Sequence, residues 1–369
     1  MIRLIATIFA VTTVFSLGAR DLSATIDSLI DARYDGDSAP GGAVIIARGD
    51  SVLYERYIGL ADMPSRRPID ADTRFCIASI SKQFTVMALL QRDAAYHGPM
   101  PLLDTPVSDW FDYRQPLWRD ITLRNLANHT SGVADSRPRD NRDRCVYADD
   151  ESSIAYFPTV DSVQFGAGEY YDYLNPSFIL LARVVERLSG KEFTEYMRDS
   201  VFEPAGMLST YYFDPADDAG PDRSHGYIPG DDGGWREYDY GEETFFATRP
   251  DGGIYSTARD LLRWENALRD GVVTDPQRLA MAYRPSVSVT DSPTCDYQRR
   301  PDTWYGLGFF VDHPSGKARK VYHTGDNGGY QAYLAKYPDL DIKIIVLENR
   351  NDRDRWQLAT AIDEALGLR

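Results

Sequence analysis

The feature that most constrains this chain is a change of hydrophobic period along its length. Near the start, "PGGAVIIARGDSVLYERYIGLAD" holds two β-rich runs around Gly49-Asp50, which predicts a hairpin. Near the end, "YGLGFFV", "KVYHTG", "YQAYLAKY" and "IKIIVLEN" are strand-like, with a turn over 338–341. Between these ends the spacing is helical. Helices are predicted over 22–34, 121–133, 176–188, 255–271 and 354–366, with 73–91 turning into another. The one over 121–133 stops at a Ser-Gly turn, the one over 176–188 ends at Gly190, and Ser256 or Thr257 caps the one after it. Strands at both ends with helices between them predict an α/β chain of the α+β type. One α/β domain is then built from 20–76 and 245–369, with a mainly helical domain, 77–244, inserted.

The first residues read as a targeting segment. Arg3 precedes the apolar stretch "LIATIFAVTTVFSL", and small residues follow at Ser16, Gly18 and Ala19. Residues 1–19 are therefore predicted to be a signal peptide and the rest exported, periplasmic or secreted; an uncleaved anchor is the alternative. After cleavage no stable membrane span is expected. The formal net charge of −16 repels phosphate backbones and anionic lipid, so nucleic acid is excluded as a partner on average field.

Of the three cysteines, Cys145 and Cys295 are the more plausible disulfide pair, and Cys76 suits a small buried hydrophobe. The stretch 214–243, rich in Asp, Glu and Gly, reads as a solvated surface loop rather than a metal site.

The chemistry-bearing signal is Ser79-Ile80-Ser81-Lys82 at the head of an apolar helix. The chain has only six lysines, so one placed in a helix bound for the core stands out. Residues three apart share a helix face, and side chains lean toward the helix start, so Lys82 reaches back to the Ser79 hydroxyl. Burial favours a neutral amine that can accept the serine proton, which arginine cannot do. The helix start adds N–H groups for a developing oxyanion. The same spacing also suits a lysine snorkelling beside a capping serine, and this stretch alone leaves both readings open.

Two further motifs follow in order. "YYDYLNPSF" supplies Tyr173-Leu174-Asn175 ahead of a helix, and "KVYHTGDNGG" supplies His323-Thr324-Gly325 on a strand. With Ser79 and Lys82 they resemble the serine β-lactamase and penicillin-binding-protein superfamily, closest to its class C-like branch with DD-carboxypeptidases, D-aminopeptidases and esterases. "HTSGV" and "GGIYSTARDLLRW" look similar to that family too.

The resemblance implies a serine β-lactamase-like fold: a mostly antiparallel sheet flanked by helices, with the active site between the two domains. It implies Ser79, Lys82 and Tyr173 as catalytic residues, and Asn175, His323, Thr324, Gly325 and Asp326 as substrate-binding residues. Asn175 would bond Lys82 and a substrate amide, and Gly325 would let a substrate backbone approach. The N–H groups of Ser79 and Asp326 would form the oxyanion hole. No metal or organic cofactor is implied, and the partner is a small-molecule or peptide substrate. Class C β-lactamases usually carry lysine where His323 stands, and Leu174 replaces a smaller residue. Both departures point toward D-amino-acid peptides or small esters. A class C-like β-lactamase is the alternative, and an idle penicillin- or peptidoglycan-binding protein is the alternative of another class.

Overall fold

The computed structural model describes residues 19–136, 149–213, 223–238, 248–294, 300–312 and 318–368. The body of the predicted leader, Cys145, Cys295 and much of the acidic stretch (214–222 and 239–243) lie outside the described residues.

Eight strands form one antiparallel sheet. In chain order they are β1 (Gly42–Arg48), β2 (Ser51–Ile58), β3 (Val287–Ser288), β4 (Thr303–Tyr305), β5 (Phe310–Asp312), β6 (Lys320–Asn327), β7 (Tyr330–Tyr337) and β8 (Ile342–Glu348). Their spatial order is β3-β4-β5-β6-β7-β8-β1-β2, so the N-terminal hairpin completes a sheet made mainly by the C-terminal part. Gly49, at a φ of 56°, turns that hairpin where the sequence predicts it. The central strands are buried on both faces, which is why β8 carries the continuous apolar run Ile344–Leu347.

Alternation assigns the two faces. Val44, Ile46, Ile344 and Val346 pack with Ile26 and Ile30 of helix α1 (Ala19–Arg33) and with Leu358 and Ile362 of the last helix. Ile45, Leu334, Ile345 and Leu347 face the other way, into the main core. That core also takes Phe84 and Leu89 of α2 (Ser81–Ala95), Leu180 of α4 (Ser177–Ser189) and Trp264 of α6 (Ala258–Arg269). Phe84 and Trp264 stack with ring centres 4.0 Å apart. One apolar cluster thus joins the sheet to the helices, so groups contributed by both are held in a fixed relation.

Two predicted elements differ. The helix expected over 121–133 is only α3, Leu123–Ala127, because His129 already has a φ of 60° and its carbonyl serves another segment. The apolar run 305–311 is split between β4 and β5. Gly308, at a φ of 73°, turns the chain over α2, where a Cβ would come within 2.9 Å of Val86. Gly190 ends α4 in the left-handed conformation, and Thr257 caps α6 by accepting from the Asp260 amide at 3.0 Å. Among the described residues no helix is long and apolar enough to cross a membrane.

Candidate active site

The site begins where a short strand becomes a helix. Phe75–Cys76 pairs with Ile254–Ser256, and the Ile77 amide donates to the Ile254 carbonyl at 3.0 Å. Ala78 then takes a φ of 46°, a costly conformation for a residue with a side chain. It turns the chain sharply into the helical turn Ala78–Ile80 and α2. Ser79 stays partly exposed while Ile77, Ala78 and Ile80 are buried.

Lys82 is fully buried. Its Nζ donates to Ser79 Oγ at 3.0 Å and to the Asp251 carbonyl at 2.7 Å. Asp251 lies in α5, the single turn Arg249–Gly252, which also accepts from Thr85 at the Pro250 carbonyl (2.6 Å). The amine therefore spans a hydroxyl and a carbonyl, as a proton carrier would require.

Tyr173 closes one side, with its ring centre 5.0 Å from Lys82 Nζ; the Phe178 ring of α4 lies 5.5 Å from the same atom. Asn175 lies next to them just ahead of α4, but its amide makes no bond to Lys82: the Asp251 carbonyl takes the role expected of it. Leu174, between Tyr173 and Asn175, is buried in the main core.

Strand β6 forms the opposite wall. A Cβ on Gly325 would sit 2.2 Å from the Ile77 carbonyl oxygen and 3.1 Å from the Ala78 side chain. Glycine here lets the strand abut the serine's own turn. His323 is fully buried: its Nδ1 donates to the Thr324 carbonyl at 2.7 Å, and its Nε2 accepts from the Tyr305 hydroxyl at 3.1 Å. Desolvation first, then the Lys82 charge, pull its pKa down to about 3, so the ring is neutral. Thr324 is also fully buried and, by strand alternation, faces away from His323. Both side chains are buried in the wall, the His323 ring centre 6.5 Å from that of Tyr173, and β6 adds backbone at Gly325 and Asp326.

The Beta-lactamase family model matches residues 26–367. This chain belongs to that family. Within it, penicillin-binding protein 4* of Bacillus subtilis is 26% identical over 351 residues, covering 86% of this chain and 70% of that protein. A D-aminopeptidase of Brucella anthropi is 28% identical, covering 84% of this chain and 56% of the relative. The chain thus spans between about half and 70% of the length of these relatives. Among solved structures, a penicillin-binding protein from Bacillus halodurans superposes with a TM-score of 0.77 at 27% identity, covering 92% of this chain and 98% of its own. The fold is therefore that of the penicillin-binding and β-lactamase-related proteins.

This Beta-lactamase family site also holds residues that the sequence reading did not single out. Asp251 acts through its carbonyl, an atom no motif spells. Arg355 opens the last helix, α7 (Arg355–Ala365), donates to the Gly325 carbonyl at 2.7 Å and pairs with the Asp326 carboxylate, bracing β6. Tyr305 holds His323 from β4. His129 lies among Tyr173, Phe178 and Tyr305, and burial, reinforced by the Lys82 charge, holds its pKa well below the usual histidine value. Its signal, the run His129-Thr130-Ser131-Gly132, was present in the sequence without an assigned role.

Proposed function

We propose that the chain is an exported serine hydrolase that works through an acyl-enzyme on Ser79, acting on D-amino-acid peptides and amides or on small esters. The observation that carries this reading is the 3.0 Å contact between Lys82 Nζ and Ser79 Oγ, with the amine held on its other side by the Asp251 carbonyl.

In this mechanism Ser79 Oγ attacks the substrate carbonyl, and its proton passes to the neutral amine of Lys82, with Tyr173 as relay. The tetrahedral oxyanion rests on the N–H groups of Ser79 and Asp326, a pairing supported by the close packing of Gly325 on Ile77 and Ala78. The intermediate collapses, the amine or alcohol leaves with the proton, and water then frees the acyl group and restores Ser79. The Asn175 amide, half-buried beside Tyr173, is assigned to the substrate.

The neutral, buried His323 supports the substrate order. A β-lactam carries a carboxylate beside its scissile ring, and His323 places no cation there. Substrates without that carboxylate lose nothing. The relatedness to a D-aminopeptidase agrees with this direction.

The test is to offer the protein without its leader a nitrophenyl ester, a D-amino-acid amide, a D-Ala-D-Ala peptide, a chromogenic cephalosporin and a fluorescent penicillin, alongside Ser79→Ala. Ester or D-amide turnover that Ser79→Ala abolishes is expected. Cephalosporin turnover faster than both would establish the β-lactamase alternative. No turnover and no adduct on Ser79 would overturn the enzymatic reading.

A further inference from the structure

We infer that the turn His129–Gly132 is the bracket that positions Tyr173 and Asn175, and that the neutral imidazole of His129 is its working part, a positioning residue for the acyl transfer proposed above. The inference rests on that reading of the site.

Three backbone bonds join the two segments. The amides of Gln164, Gly168 and Asp172 each donate at 2.8 Å, to the carbonyls of Gly132, Thr130 and His129. The approach is so close that a Cβ on Gly132 would sit 2.2 Å from the Phe165 carbonyl oxygen, and Gly132 has a φ of 71°. Thr130 is fixed in turn by the Asn125 amide of α3 at 2.9 Å. The chain that ends in Tyr173 is thus laid along a turn anchored to the core.

His129 adds the contact nearest the chemistry. Its Nδ1 accepts from the Leu174 amide at 3.0 Å, in the peptide unit that joins Tyr173 to Leu174. Its carbonyl accepts from Asp172, so one residue grips the chain on both sides of Tyr173. Its ring lies 4.2 Å from the Tyr173 ring, centre to centre, tilted by 34°. Fixing the peptide plane at 173–174 fixes where the phenol points and where Asn175 starts.

The residue type follows from this geometry. With Nδ1 accepting, the proton sits on Nε2, and among the described residues that buried N–H has no acceptor. An apolar ring would fill the same space without that unmet donor. What imidazole supplies, and phenyl would not, is the acceptor at Leu174. Acceptance requires the neutral form, which burial among Tyr171, Tyr173, Phe178 and Tyr305 enforces.

The test uses two variants that tolerate the positive φ at this position. His129→Asn keeps an acceptor at the place of Nδ1; His129→Gly removes it. With a nitrophenyl ester, His129→Gly is expected to lose about 100-fold in kcat with KM nearly unchanged, since a catalytic group displaced by about 1 Å costs that much. His129→Asn is expected to stay within about tenfold of the unaltered protein. Equal kcat in His129→Gly and the unaltered protein, or equal losses in both variants, would overturn the inference. If His129→Gly fails to melt cooperatively, His129→Asn decides alone: retained kcat supports the acceptor role, and a 100-fold loss in the folded variant overturns it. An unaltered protein that neither hydrolyses the ester nor labels at Ser79 would refute the proposed function itself, a result distinct from these.

Discussion

The carbonyl oxygen of Ile77 lies 2.2 Å from the point where residue 325 would carry a Cβ. Glycine at 325 is therefore a condition for the wall strand to meet the serine's turn, and with it for any pairing of the Ser79 and Asp326 amides on one oxyanion. Because the clashing atom is backbone, Gly325→Ala must move β6 or the turn. The expected result is a loss of about 100- to 1,000-fold in kcat, the size seen when one oxyanion donor is removed. Steady-state ester hydrolysis and the rate of penicillin labelling would both report it. Unchanged labelling in a folded variant would show that the strand does not serve the oxyanion.

Lys82 has a different vulnerability. It is fully buried and its Nζ spans Ser79 Oγ and the Asp251 carbonyl, so a replacement must both fit and give up a proton. Lys82→Arg puts a permanent cation there and fails on both counts. Acylation of Ser79 should fall by about 100- to 10,000-fold, the usual worth of a positioned general base. Burst kinetics with a nitrophenyl ester would measure this, and near-normal acylation would remove Lys82 from the role of base.

The sequence made some of this legible and hid the rest for definite reasons. The strand-helix-strand ordering, the Gly49 turn, the Gly190 stop and the Thr257 cap come from local chemistry, and each stands where the pattern placed it. The contact between Ser79 and Lys82 was legible because it spans three residues within one turn of chain. What local pattern does not encode is backbone brought in from afar. The Asp251 carbonyl, 169 residues from Lys82, took the place expected of Asn175. The sidedness of β6 was half legible: alternation told His323 from Thr324, but the burial of both depends on Tyr305 and the covering helices. The helix over 121–133 was overextended because its apolar spacing continues past Ala127, while the His129 carbonyl is claimed by Asp172.

Helix α6 offers a test of the scaffold apart from the chemistry. Thr257 is buried and its hydroxyl accepts from the Asp260 amide at 3.0 Å, closing the first turn of the helix that carries Trp264 into the core. Thr257→Ala leaves that amide unmet and should cost about 1 kcal/mol of stability, the typical worth of such a cap. Urea denaturation with an unchanged m-value would register the loss. A midpoint identical to that of the unaltered protein would mean that the cap contributes nothing here.

His323 should leave a signature in the pH dependence of folding. Its pKa is about 3 in the folded chain against an ordinary value of 6.5, so between these limits the unfolded chain holds a proton that the folded chain lacks. Stability contributed by the neutral ring is thus fully present above about pH 6.5 and is lost progressively as pH falls toward about 3. Asp150, raised from 3.8 to about 7 mainly by burial, works in the opposite sense: between these values the folded chain keeps a proton that the unfolded chain has shed. Because the two partly cancel, the informative quantity is the difference between the protein and His323→Asn, whose amide can still donate to the Thr324 carbonyl. The slope of unfolding free energy against pH near pH 5 should be lower in the variant by about 1.4 kcal/mol per pH unit, the equivalent of one proton. Parallel curves for the two proteins would mean that His323 is not neutral in the fold, and that a cation does stand on the wall of the site.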